Sequence, residues 1–220
     1  MRRKLARILG FLLLISAGSG EISLPLPKTD NGMGINQVIS SRRSVRRYSS
    51  QPLTLAELSQ LLWSAQGITD PRGKKRSAPS AGAIYPLKLY VSVKPGGVKG
   101  ISEGIYLYLP QEHKLKKLIS GDHQASLAQI AFGQIWMAQA PIIFIFTAEP
   151  SRMISRYRER AWLYIHLEAG MASENLMLQA VALGMGSCAV GAFWENRLAK
   201  LLKLSPSQKS LLMVTVGRKD

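Results

Sequence analysis

The 220-residue, 24.2 kDa chain is 46% hydrophobic and 19% charged, and its 29 Lys and Arg against 13 Asp and Glu give a formal net charge of +16. That hydrophobic share excludes a disordered chain, and a lone cysteine, Cys188, excludes a disulfide scaffold or a cysteine-cluster metal site. His113, His123 and His166 have no i,i+4 pairing, so no histidine metal centre is expected. The charge would suit nucleic acid, a membrane surface, or anionic ligands gathered by arginines.

Residues 1–20 read as a targeting segment. Arg2, Arg3, Lys4 and Arg7 precede an apolar run over 8–17 and then Gly18-Ser19-Gly20, the three regions of an export signal. The run is shorter than the ~20 residues of a bilayer span. Arg2-Arg3 also resembles the twin-arginine pattern that exports folded proteins. The expectation is an exported or membrane-anchored protein with the N-terminus as a tether. The alternative is a cytoplasmic chain whose apolar N-terminal helix packs on itself or on a partner. Without this segment about +12 of the charge remains, so the basic character belongs to the domain.

Residues 21–35 are rich in Pro, Gly and polar side chains and predict an extended arm. From 36 to 220 no repeat or second linker appears, which predicts one domain. A short helix is expected over 36–41. Thr54-x-x-Glu57 is a capping box, and Leu55, Leu58, Leu61, Leu62 and Ala65 then line one helix face that Gly67 ends. A basic loop over 70–80 holds Arg72, Lys74, Lys75 and Arg76. Strands are predicted over 87–93, 105–109 and 114–119, and a helix over 126–138. The apolar run at 141–147 suits a central strand buried on both faces. A long helix over 160–183 follows, then a strand over 187–190, a helix over 195–202 and a last strand over 211–216. This mixed order predicts an α+β fold, a sheet with helices packed around it.

Four segments carry residues suited to chemistry. In Ser41-Arg42-Arg43-Ser44-Val45-Arg46-Arg47-Tyr48, guanidinium forks, hydroxyls and backbone N–H groups can all meet a phosphate. In Pro79-Ser80-Ala81-Gly82-Ala83-Ile84-Tyr85-Pro86, small residues allow the backbone to approach a flat ligand. In Gly184 to Phe193, Gly184 or Gly186 can cap the long helix and Gly191 can free a backbone N–H. The terminal Gly217-Arg218-Lys219 delivers two cations from a strand end. Taken singly, each segment equally fits a solvated basic turn or a loop.

Together, Arg42-Arg43-Ser44-x-Arg46, PSAGAIYPLKLYV, ENLMLQAVALGMGSCAVGAF and the terminal Gly-Arg-Lys resemble the nitroreductase superfamily. The resemblance is greatest to its SagB-type dehydrogenase branch and covers about residues 36–219. It implies a central, mostly antiparallel sheet surrounded by helices, and an FMN enzyme working as a homodimer with the flavin between subunits. By position it implies that Arg42, Arg43, Ser44 and Arg46 hold the FMN phosphate and ribityl chain, with Arg218 and Lys219 assisting. Ser80, Ala81 and Gly82 would lie along the isoalloxazine edge. The Gly191 N–H, with Ala192 beside it, would face flavin N5, which accepts hydride. The expected activity is hydride transfer from NAD(P)H or a quinol-type donor to a small nitroaromatic or quinone acceptor. The alternative is a SagB-like dehydrogenation of a peptide-borne or small substrate.

Two positions depart from that branch. Where its azole-forming members carry a Lys-Tyr pair, this chain has Arg156-Tyr157, and an arginine is a poor general base. Tyr157 is the candidate proton donor. Where the branch has Gly-His in the long helix, this chain has Gly170-Met171. Cys188 is expected to be a buried, inert thiol, His166 a hydrogen-bonded helix residue, and Trp194 the tryptophan best placed for a substrate pocket. No nucleic-acid motif appears and aromatics do not interleave the basic stretches, which ranks a nucleic-acid or membrane-surface module below the enzyme.

Overall fold

The computed structural model describes residues 20–29 and 32–220. The predicted targeting segment lies outside these residues, except for Gly20. Among the described residues no helix is long and apolar enough to cross a membrane.

Seven strands form one sheet, β1 (Glu21–Ser23), β2 (Leu87–Val93), β3 (Gly104–Leu109), β4 (Lys114–Ser120), β5 (Ile142–Ala148), β6 (Met185–Val190) and β7 (Lys209–Arg218). Their order is β1-β4-β3-β2-β5-β7-β6, and every neighbouring pair is antiparallel. The helices are α1 (Ile35–Ser41), α2 (Leu55–Gln66), α3 (Gln124–Ile130), α4 (Ser151–Tyr157), α5 (Ala161–Ala182) and α6 (Glu195–Leu202). The α+β class and the helix-flanked antiparallel sheet are as expected.

β5 explains the layering. All seven of its residues are buried, and successive side chains point to opposite faces. Ile142, Phe144 and Phe146 join a core with Leu58, Leu61 and Leu62 of α2 and Ile165 and Leu176 of α5. Ile143 and Ile145 join a second core with Leu127 of α3 and Leu198 of α6. A continuous apolar strand thus serves two helix layers at once, which is why its sequence shows no alternation.

The capping box forms as predicted: Thr54 Oγ1 accepts from the Glu57 N–H at 3.2 Å, and the Thr54 N–H donates to Glu57 Oε2 at 2.8 Å. Gly67 ends α2 and Gly184, at φ 73°, follows α5, which leaves Gly186 inside β6.

Four expectations need correction. The single helix over 126–138 is α3 followed by a 3-10 turn at Ile135–Gln139, because Phe132 and Gly133 adopt φ of 56° and 75° and break it. α4 was not expected, and Tyr157 therefore ends a helix rather than beginning the long one. The arm begins as a strand, with β1 pairing β4 and forming one edge of the sheet. β7 runs four residues beyond its predicted bounds, out to Lys209 and Arg218.

Candidate functional site

Residues after α1 run back over the β6 edge of the sheet. Ser44 bridges Ser187 of β6 in parallel, and the Val45 N–H donates to the Ser187 carbonyl at 2.9 Å. Four residues on, Tyr48 bridges Lys219 and the Ser49 N–H donates to the Arg218 carbonyl at 3.1 Å. The Tyr48 hydroxyl, buried, bonds the Val45 carbonyl at 2.6 Å and Thr215 Oγ1 at 2.7 Å and so pins the segment to β7. Gly186 makes the approach possible, since a Cβ there would lie 2.6 Å from Val45 Cβ. Two sequence segments about 140 residues apart are thereby joined at one edge.

The cations gathered there are unequally engaged. Arg43 donates only to backbone carbonyls, those of Ser40 at 3.0 Å and Arg42 at 2.7 Å. Arg46 lies over the Trp136 ring at 5.7 Å, and Arg43, Ser44, Arg46 and Lys219 are exposed. Arg42 Nε pairs with Glu174 Oε1 of α5 at 3.5 Å, a partly exposed contact of little energetic weight. Arg218 is held more firmly. It donates to Glu57 Oε1 and, at 3.3 Å, to the Leu183 carbonyl, so the residue that caps α2 also anchors the end of β7. Its Nε is buried without a partner. Five cations thus meet two carboxylates, and the excess positive charge, with Ser44 among it, suits a phosphate. Beneath them, burial raises the Cys188 thiol, against the pull of nearby Arg46 and a bond from Ser44, and leaves it unreactive.

Gly191 and Ala192 are exposed just past β6, at the end opposite Arg218. Along β6 they lie roughly 20 Å from the position paired with Arg218 and roughly 13 Å from Ser187, which pairs with Ser44. Ser80, Ala81 and Gly82 form a third group, where a 3-10 turn spans Ala81–Ala83. Gly82 has φ 61°, and a Cβ there would sit 2.7 Å from the Tyr157 hydroxyl and 2.8 Å from Arg156 Nη1. Arg156 and Tyr157 therefore press directly on Gly82, and Tyr157 also stacks edge-on against Tyr164 with ring centroids 4.9 Å apart. Trp194 is partly exposed, packed by Phe132 and by Arg197 at 4.1 Å from its ring. His166 is exposed and bonds the Trp162 carbonyl at 2.7 Å.

Behind the Ser80 turn lie residues that the sequence reading passed over. Arg76, in the basic loop over 70–80, is partly buried; its Nη1 donates to Gln66 Oε1 at 2.8 Å and its guanidinium lies 4.8 Å over the Tyr85 ring. Glu168 of α5 is fully buried, and neither carboxyl oxygen has a hydrogen-bond partner of good geometry. Burial raises its pKa to about 7, against the lowering effects of Ser80, Arg76 and Gln66. The helical spacing of Ile165, Glu168, Ala169 and Ala172 already put it on the buried face.

A model of the nitroreductase family matches residues 39–218. The chain belongs to the nitroreductase family. A nitroreductase-family protein of Methanocaldococcus jannaschii is 42% identical over 185 residues, covering 84% of this chain and 91% of that protein. The microcin B17-processing protein McbC of Escherichia coli is 22% identical over 165 residues, covering 74% of this chain and 61% of its own length. Among solved structures, a nitroreductase-family protein of Ralstonia eutropha superposes with a TM-score of 0.80 at 28% identity, covering 94% of this chain and 92% of that one. The NADPH:FMN oxidoreductase of Vibrio harveyi complexed with NAD+ shares the fold, with a TM-score of 0.62 at 15% identity over 84% of this chain and 69% of that one. Family membership makes the protein an oxidoreductase in kind.

Proposed function

We propose that this protein is an FMN-dependent oxidoreductase that passes two electrons from a donor such as NAD(P)H to a small organic acceptor of nitroaromatic or quinone type. The observation that carries it is the cationic edge where Arg42, Arg43, Ser44 and Arg46 lie beside Arg218 and Lys219. The Vibrio harveyi neighbour, named for NADPH and FMN, supports the choice of cofactor. When bound, FMN supplies hydride acceptance and return at N5.

The chain's own residues supply the rest. Arg43, Arg46 and Lys219 have no carboxylate partner among the described residues and would bind the phosphate directly. Arg218 stays tied to Glu57 and would fix the strand end on which Lys219 sits. The Ser80–Gly82 turn offers backbone to the flavin edge, and Gly191 and Ala192 offer a backbone N–H one strand-length from the phosphate end. Tyr157, pressed on Gly82, presents a hydroxyl there that can donate or accept a hydrogen bond, whereas the arginine before it is a donor only.

A homodimer is part of this reading. α5 exposes Leu163, Leu167 and Met171 at four-residue intervals, and adjacent α1 exposes Ile35 and Ile39. Such a stripe on a domain of this size marks a contact with another protein surface. One chromatographic run tests both claims. The purified chain with added FMN should elute at twice 24.2 kDa, with absorbance at about 450 nm in the same peak. A colourless peak would overturn the cofactor assignment, and a monomer at every concentration would overturn the dimer.

A second reading, dehydrogenation of a peptide-borne or small substrate, draws on the match to McbC and on the Arg156-Tyr157 pair at Gly82. Residues 1–20, as an export signal or anchor, would place the enzyme outside the cytoplasm and favour a quinol or partner-protein donor. A cytoplasmic location would favour NAD(P)H.

A further inference from the structure

A cavity of about 330 Å³ opens on the far side of the Ser80–Tyr85 turn, between the C-terminal end of α2, the strands β2 and β3, and the start of α4. Its polar lining includes Gln66, Arg76 and Arg152, and Tyr85 and Tyr108 contribute rings beside the apolar Leu87 and Leu89, while Lys88 and Leu107, which also border it, alternate to the other face of the sheet. Glu149 is the single carboxylate in that lining, and it already accepts from Ser207 Oγ at 3.2 Å.

The charge balance is the anomaly. Among the described residues, neither Arg76, Lys88 nor Arg152 has a carboxylate within 4.0 Å. For Arg152, exposed at the mouth, that means little, since water solvates it. Arg76 is different, because its guanidinium is withdrawn from solvent and bonded to a neutral amide. A partly desolvated cation with no carboxylate in contact is stabilised by a further anion brought to it. Burial lowers its pKa; Glu168 opposes that shift, but burial holds the Glu168 carboxyl itself toward its neutral form, so the compensation is partial.

The wall facing Arg76 is also held under strain. Tyr85 adopts φ 53°, where a residue bearing a Cβ is disfavoured, and Ala83 two positions earlier has φ 52°. Two hydrogen bonds hold Tyr85 there. Its N–H donates to Ser80 Oγ at 2.9 Å and its hydroxyl accepts from the Arg76 N–H at 3.2 Å. The turn is bent so that the ring lies beneath the guanidinium and forms part of the cavity lining.

We propose that this cavity binds a small organic carboxylate with a flat apolar body, its carboxylate on Arg76 and its body against the side lined by Tyr85 and Tyr108. The planar guanidinium matches a carboxylate fork, and the apolar strand residues match the body. Arg152, exposed at the rim, draws the anion to the mouth. The cavity volume limits the ligand to the size of a single substituted ring. The ligand contacts assigned here, Arg76, Tyr85, Tyr108 and Arg152, are separate from the residues assigned to the flavin, although Ser80 at the flavin edge also holds Tyr85 in place.

The test is isothermal titration of the full-length protein with 3-phenylpropionate and, separately, with its neutral amide. The acid should bind with a Kd below ~1 mM, and the amide at least about tenfold more weakly. Arg76→Gln should cost the acid at least about tenfold and leave the amide unchanged. Arg152→Glu, at an exposed position with no part in the fold, should cost about threefold or more and decides the matter should Arg76→Gln fail to fold. Equal binding of acid and amide, no binding of the acid at 10-fold that concentration, or wild-type affinity in the folded variants would each overturn the proposal.

Discussion

Replacing Arg42 and Arg43 together by alanine is expected to abolish tight flavin binding while leaving the protein folded. Charge-assisted hydrogen bonds contribute about 1.5–3 kcal/mol each, so losing two forks should weaken FMN binding by roughly a hundredfold or more. The structural cost should be small. Arg42 makes one partly exposed ion pair, with Glu174, and Arg43 donates only to two carbonyls of its own turn. Fluorescence titration with FMN, beside a thermal melt, separates the two effects. Arg218→Ala should behave differently, because that guanidinium also joins the α2 cap to the end of β7. Flavin affinity unchanged in the double variant would mean that the cationic edge serves another anion.

The second large effect concerns Glu168. A carboxyl whose pKa is raised in the native state to about 7 binds its proton more tightly when folded than when unfolded. Its contribution to stability is therefore most favourable at low pH. It declines as pH rises from the unfolded value of about 4.3 through 7 and levels off beyond that. The full deficit is about 3 kcal/mol. Glu168→Gln keeps the shape of the neutral carboxyl without its titration. The stability of the variant relative to the wild type should rise by about 2.5 kcal/mol between pH 5 and pH 8.5, measured by urea denaturation at both pH values. Parallel stability curves would show that Glu168 does not titrate in this range, or that water reaches it.

Much of this was legible in the chain. Thr54 and Glu57 announce the start of α2 because a capping box is local chemistry, and the bounds of β2 follow from a β-rich run closed by Lys94-Pro95-Gly96-Gly97. The buried β5 followed from an apolar run too short for a membrane and too uniform for a surface strand. What failed did so for tertiary reasons. Phe132 gives no hint that it will adopt a positive φ, so the break after α3 was invisible. The residues of α4 carry arginines that read as solvated charge, although Met153 among them is buried in the core.

The site divides in the same way. The residue types for a phosphate were plain in Arg42 to Arg46, whereas their placement beside Arg218 depends on pairing across the sheet edge. Glu57 was recognised as a cap, but its second role as partner to Arg218 needed the fold. Arg76 looked like one more charge in a basic loop. Its withdrawal from solvent arises only when β2, β3 and α2 close around it. Part of the excess charge is therefore gathered at the β6 edge, and a smaller part borders the cavity behind the Ser80 turn.

Electrons are expected to pass through a flavin held by this chain. Anaerobic titration of the FMN-loaded protein with NADH, NADPH and a reduced quinone tests this most directly. At least one donor should bleach the band at about 450 nm with two electrons per flavin, and a nitroaromatic or quinone added next should restore it. A protein that takes up no FMN, or whose bound flavin none of these donors reduces, would contradict the account.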